Sequence, residues 1–276
     1  MTLAPTGEPT AKTEQIDGAT RLYVIIGDPI SAVRSPQFFN ALFAEHGINA
    51  VLVALHVDAD GLDAAWAGLK AMRNLAGVVV TMPHKVRAAA LVDALGPAGQ
   101  IAGAINAARR EPDGRWLGDM FDGRGFVDGL RAQGHEIAGR KVHLLGLGGA
   151  GTAIAVALAE GGVSGLVLQD VDAARRDRLV DRIATGFPNL AVTPGTAPDP
   201  GVDAAINATP LGMKVNDPLP FDPATLPRST LVVDIITKPE MTPLLERAAA
   251  TGHRVHAGGH MHRGQALCVA RFFGFC

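Results

Sequence analysis

The sequence predicts an α/β protein of two units, each a mostly parallel sheet covered by helices, with a cleft between them. Three observations carry that expectation. Short apolar runs at residues 22–26, 76–80, 142–145 and 230–234 alternate with longer helical stretches, as in a sheet buried on both faces. Gly146, Gly148 and Gly151 follow the third run in the spacing G-x-G-x-x-G and open into an Ala- and Leu-rich segment. At 276 residues and 47% hydrophobic, the chain suits one large domain or two modest ones with ample core.

Residues 1–20 carry Pro, Thr, Gly, Glu and Lys without a long apolar run, so a flexible tail is expected and no signal peptide. A strand at 22–26 stops at Gly27-Asp-Pro29, and Ser35-Pro36 opens a helix through residue 46, with Ser35 as N-cap and Pro36 in the first turn. A strand at 50–56, a helix at 62–72 and a strand at 76–80 lead to Thr81-Met-Pro-His-Lys85 and a helix at 86–95. After Ile101–Asn106, a short strand or hairpin reaches residue 117, Asp122 falls in a glycine-rich loop, and a helix spans 126–133. Beyond the glycines come a helix at 152–159, a strand at 165–169, a helix at 172–185 and strands near 190–193, 203–206 and 230–234. A helix at 242–251, a strand at 254–256 and a last helix at 260–273 complete the chain. The expected division is a substrate-binding and catalytic domain over 21–124, completed by 253–276, and a Rossmann dinucleotide-binding domain over 125–252.

The glycines state their own chemistry. The first permits a tight turn, the second lets backbone approach a pyrophosphate, and the third lets the helix pack on the strand. The free N–H groups of the helix N-terminus suit phosphates. Asp170 closes the next strand about 20 residues on, where a carboxylate meets the ribose hydroxyls of NAD and repels the 2′-phosphate of NADP. NAD is therefore the expected cofactor, preferred over NADP. Arg175 and Arg176 read as a solvated helix face.

A formal net charge of −2 gives no electrostatic case for nucleic acid or an anionic membrane. Cys268 and Cys276 form neither a metal spacing nor a disulfide framework, which fits a cytoplasmic protein. His253, His256, His260 and His262 match no compact metal motif, and no metal is expected.

Several motifs, in order, resemble the shikimate/quinate dehydrogenase family: Thr81-Met-Pro-His-Lys85, Gly103-Ala-Ile-Asn106, Asp119-Met-Phe-Asp122-Gly-Arg-Gly125, Asn207-Ala-Thr-Pro-Leu-Gly-Met213 and Gly259-His-Met-His-Arg-Gly-Gln265. The resemblance implies reversible oxidation of a ring hydroxyl to a ketone by a nicotinamide. It implies Lys85 and Asp122 as the catalytic pair, and Ser35, Thr81, Asn106, Thr237 and Gln265 as substrate contacts. Gly146, Gly148, Gly149, Ala150, Gly151, Asp170, Asn207, Thr209, Met213 and Gly258 are expected to meet the cofactor. The expected partner is a small-molecule substrate, and a homodimer is the assembly the resemblance allows. The chemistry agrees: a free lysine titrates near ~10.4, and its surroundings decide whether it shuttles a proton or stabilises an alkoxide.

The departures are informative. Val33 replaces a serine expected to bind the substrate carboxylate, Val79 an asparagine, Phe121 a threonine and Thr237 a tyrosine. Asp170-Val-Asp172 replaces the Asn-Arg-Thr that reads NADP. The chain is thus expected to be a divergent, NAD-preferring member acting on shikimate, quinate or an amino analogue. Arg34 stands ready as a new carboxylate contact. A non-catalytic NAD sensor and a dehydrogenase of an unrelated small hydroxy acid are the alternatives.

Overall fold

The structure, a computed structural model, describes residues 16–214 and 216–275. The tail expected over 1–20 therefore lies mostly outside the described residues. Its end is a turn in which the Thr20 hydroxyl donates to Asn49 Oδ1 at 2.7 Å.

The first sheet gathers β1 (Arg21–Gly27), β2 (Ala50–His56), β3 (Leu75–Val80), β4 (Ala94–Leu95), β5 (Ala107–Arg110) and β6 (Trp116–Asp119). Its order is β2-β1-β3-β5-β6-β4, parallel except that β5 runs antiparallel to both neighbours. Around it lie α1 (Ser35–Glu45), α2 (Leu62–Ala71), α3 (Lys85–Ala89) and α4 (Pro97–Ala102). α5 (Asp122–Ala132) leads to β7 (Lys141–Leu145), α6 (Gly149–Glu160), β8 (Gly165–Gln169), α7 (Ala173–Gly186), β9 (Ala191–Pro194), β10 (Ala204–Asn207), β11 (Leu231–Asp234), α8 (Pro243–Ala250), β12 (Val255–His256) and α9 (Gly259–Phe272). The second sheet, β12-β11-β10-β7-β8-β9, is parallel throughout. This is the expected α/β architecture of two mostly parallel sheets.

Strand alternation divides the first core. Tyr23 and Ile25 face Phe39, Phe43 and Phe275, whereas Val24 and Ile26 face Leu62, Trp66 and Trp116. The end of α9 belongs to the aromatic side: the Tyr23 and Phe273 rings lie 5.0 Å apart. Gly77 has no room for a side chain there, because a Cβ would strike both rings.

Three elements differ from expectation. The helix at 86–95 ends at Ala89, and residues 94–95 join the sheet beside β6. Gly96-Pro97 then starts α4, since proline is pre-set for a first helical turn. Ser35 is the first residue of α1 rather than its cap; Arg34 occupies that position without a side-chain bond. Asp122 stands in the first turn of α5, not in a loop. The division expected at 124/125 falls within that helix.

Both sheets reverse strand order where ligands of open α/β sheets bind, beyond the carboxyl ends of the strands. In the first sheet the reversal separates β1 from β3, bringing the loop after Gly27 beside that after Val80. In the second it separates β7 from β10, bringing Gly146 beside the loop after Asn207.

Where α5 ends, β12 and α9 bring three imidazoles together. The His256 ring lies 5.5 Å from His135 and 4.9 Å from His260. Burial, followed by the positive fields of His260 and His135, depresses the His256 pKa from 6.5 to about 4. Arg254 adds positive charge at His135. Between those two values the unfolded chain binds a proton that the native protein refuses. Stability present above pH 6.5 is therefore lost as the pH falls toward 4. Melting temperatures recorded from pH 7.5 to 4.5 should fall steadily, and the slope should be shallower in His256→Phe.

Candidate active site

The loop between β3 and α3 is built to hold Lys85. The Thr81 N–H donates to Ile26 O at 3.0 Å, and the Asp28 N–H donates to Met82 O at 2.9 Å. The Thr81 methyl lies over Gly27, where any Cβ would collide with it. His84 is buried, its Nε2 2.7 Å from Val57 O. The Lys85 carbonyl accepts from Ile105 N at 2.9 Å. The residue that follows Ile105 is Asn106.

Lys85 Nζ lies 2.6 Å from Asp122 Oδ2, with side-chain exposures of 19% and 3%. Asn106 Nδ2 donates to Asp122 Oδ1 at 2.7 Å, and Asn106 Oδ1 accepts from Phe121 N at 2.9 Å. Both carboxylate oxygens are thus engaged, and a buried amide fixes the side on which the lysine must sit. The ammonium remains partly open to the outside.

Gln265 joins this group through the backbone. Its main chain packs directly on Gly125, three residues into α5 from Asp122. Its amide has no partner among the described residues, nor does the Ser35 hydroxyl. Thr237 is exposed and not joined to the pair. Val33 is half-buried and packs with the aromatic cluster that also contains Phe121. The two losses of a hydroxyl therefore sit in one apolar wall.

Sequence reading passed over His262. It lies one turn before Gln265 on α9. Burial lowers its pKa first, Arg34 and Lys85 lower it further, and Asp122 opposes them. A lone histidine among four in the tail carried no signal of its own; only α9 crossing α5 reveals it.

The glycine loop has the form its spacing predicts. Gly146 is left-handed at φ 92°, pressed against Thr209 and Ala208, and a Cβ on Gly151 would strike the Gly146 carbonyl. Gly148 and Gly149 face open space. Ala150 stands in the first turn of α6, which begins at Gly149 rather than Thr152. Bare backbone N–H groups at a helix start, with nothing above them, fit a pyrophosphate. Gly258 is packed against the Ile235 and Ile236 carbonyls, fixing the start of α9.

Across the switch point, Asn207 is fully buried and spends its amide inside its own loop. Nδ2 donates to Leu211 O and Asp234 Oδ2, and Oδ1 accepts from the Thr209 N–H and hydroxyl. Burial raises the Asp234 pKa against these bonds and that of Thr242. Asn207 therefore shapes the loop, the Thr209 hydroxyl is tied into it as donor to Asn207 Oδ1 and acceptor from Leu211 N, and Met213 is exposed.

Fold and site together define an oxidoreductase of the dinucleotide-binding kind, with the Lys85–Asp122 pair beside a separate sheet. A family model for the shikimate dehydrogenase substrate binding domain matches residues 25–108. The chain is 42% identical over 238 residues to the shikimate dehydrogenase (NADP(+)) of Rubrobacter xylanophilus, covering 85% of this chain and 84% of that protein. It is 40% identical over 248 residues to that of Rhodospirillum rubrum, covering 86% of each. The structure of shikimate 5-dehydrogenase from Listeria monocytogenes in complex with shikimate and NAD superposes with a TM-score of 0.86 at 31% identity, over 95% of this chain and 93% of that one. The chain belongs to the shikimate dehydrogenase family.

The expected NAD preference is corrected by these relatives, which are named as NADP(+) enzymes. The physical reason lies in Asp170. Its carboxylate is 4% exposed and lies 3.5 Å from Arg175 Nη1. It accepts from Leu147 N at 2.7 Å and from Asp172 N at 2.8 Å. It acts as the internal clamp of the glycine loop, and Arg175 sets a positive charge at the same corner.

Lys85→Ala and Asp122→Asn should each lower kcat by roughly 10²–10⁴-fold, the range for positioned acid–base groups. Dinucleotide binding, followed by fluorescence titration, should survive in both. Near wild-type kcat in either variant removes that residue from the chemistry.

Proposed function

We propose that the protein is an NADP-linked dehydrogenase that reversibly oxidises a ring hydroxyl of shikimate, or of a close carboxylated analogue such as quinate, to the ketone. The observation that carries this reading is the Lys85–Asp122–Asn106 constellation at the switch point of the first sheet. Its helix α5 is pressed against α6, which starts at the glycine loop: a Cβ on Gly123 would strike the Ala153 carbonyl.

Alcohol oxidation removes a hydroxyl proton while hydride leaves the same carbon. A dinucleotide held by its pyrophosphate at the glycine loop would supply a nicotinamide as hydride acceptor. Lys85, held by Asp122, takes the hydroxyl proton in one direction and returns it to the ketone oxygen in the other. Asp122 keeps Nζ in place and balances its charge, and Asn106 stops the carboxylate from turning away. Thr81, Asn106 and Gln265 hold the ring hydroxyls, with Ser35 and Thr237 at the margin. Gly148, Gly149 and the α6 N-terminus would hold the pyrophosphate. The intact catalytic pair favours an enzyme over a sensor of the same fold.

Arg175, beside Asp170, is the group best placed to meet a 2′-phosphate. With shikimate as substrate, kcat/KM should be at least about tenfold higher with NADP than with NAD, or ~1.4 kcal/mol. Arg175→Ala should erode most of that ratio and leave the KM for shikimate unchanged. A wild-type preference for NAD overturns the NADP assignment. Absence of turnover across shikimate, quinate and aminoshikimate overturns the substrate class.

A further inference from the structure

We propose that His262, acting with Arg34, is the carboxylate anchor of the substrate pocket and sets specificity for acidic over neutral ring substrates. The proposal rests on the dehydrogenase reading above and assigns a residue within it.

The geometry comes from α9. His262 and Gln265 are three apart on this helix, so they share a face. The Gln265 backbone lies directly on Gly125, and the Gly264 backbone meets the Gly125 carbonyl. This crossing turns the face that carries His262 and Gln265 toward the start of α5, where Asp122 stands. His262 is half-buried, and its imidazole has no hydrogen-bond partner among the described residues. Arg34, at the start of α1, is exposed and likewise without an ion pair among the described residues. Val33, the residue before Arg34, packs in one cluster with Phe121, the residue before Asp122, so the loop that carries Arg34 borders the same end of α5, and Asp122 there is already engaged by Lys85 and Asn106.

The same pocket has lost hydroxyls. Val33 and Phe121 lie in the apolar wall of the aromatic cluster. A pocket wall with fewer hydroxyl donors, one added guanidinium and one imidazole that can take up a proton still suits a carboxylate, held through charge-assisted bonds. The charged and titratable groups facing His262 are Arg34 from the loop before α1, Lys85 from α3 and Asp122 from α5. In the free protein, burial and two cations keep the imidazole neutral. An incoming carboxylate reverses the local field and favours the protonated ring, so binding takes up a proton. Affinity for an acidic substrate therefore rises as the pH falls, while a ring carboxylate stays ionised above about pH 5.5.

The test compares shikimate with its methyl ester in wild type, His262→Gln and His262→Lys, from pH 5.5 to 8. In wild type, the KM for shikimate should fall at least about fivefold from pH 8 to pH 6, with little change for the ester. His262→Gln should raise the KM for shikimate about tenfold at pH 6, abolish its pH slope and leave kcat within about threefold. His262→Lys should restore a low KM without the slope. An equal change for acid and ester, or an unchanged KM and slope in His262→Gln, overturns the assignment while wild-type turnover keeps the dehydrogenase reading standing. Absence of wild-type turnover with every ring hydroxy acid overturns both.

Discussion

The contact on which the rest depends is the backbone-to-backbone crossing of α5 and α9. Gly125 and Gly264 have no room for a Cβ, and Gly129 is pressed against the His260 and Met261 backbone in the same way. Gly123 makes a similar approach to α6 on another side of α5. Three glycines in one helix are costly, each by up to about 1 kcal/mol relative to alanine. Here they let three helices meet at a distance no side chain would permit. The candidate site is arranged around that junction: Asp122 heads α5, Gln265 and His262 ride on α9, and the glycine loop opens α6.

The junction also explains why the active site is a hydrogen-bonded unit rather than a set of independent side chains. Asp122 is nearly buried, and an isolated carboxylate there would be expensive. Lys85 satisfies it from the start of α3 and Asn106 from the residue before β5. Asn106 is in turn fixed by Phe121 N, the residue before Asp122. Each group is held by one whose own position is fixed elsewhere, so the geometry is set before substrate arrives. Asn207, Asp234 and Thr242 repeat this logic in the second sheet. There a buried amide and carboxylate hold the loop opposite Gly146 without facing the ligand themselves.

Much of this was legible in the sequence. The alternation of apolar runs and helical stretches specifies two mostly parallel sheets, because strands buried on both faces need near-continuous apolar residues. The G-x-G-x-x-G spacing specifies the turn at Gly146 and the bare start of α6, since each glycine answers a local steric demand. Lys85, Asn106 and Asp122 were found through their motifs. What spacing does not carry is the direction of a side chain. Asp170 stands where a ribose carboxylate belongs, yet its oxygens turn inward to Leu147 N and Asp172 N. That inversion depends on the folded loop, so the charge of Asp170 read from sequence does not by itself fix the cofactor. Asn207 is a similar case, with the right address and its amide turned into the loop.

The substitutions around the pocket show the same limit in a more useful form. Read singly, Val33 and Phe121 are lost hydroxyls, Arg34 a surface arginine and His262 one histidine among several. In the fold, Val33 and Phe121 belong to one apolar cluster. Arg34, far from His262 in sequence, is near enough in the fold for its charge to lower the His262 pKa. An apolar wall cannot orient a carboxylate, and an imidazole that burial and nearby cations hold neutral gains its charge most readily when an anion enters beside it. Each change therefore leaves a deficit that the other resolves. Such compensation joins α1 to α9, which share one aromatic cluster, so it is visible only once both helices are in place.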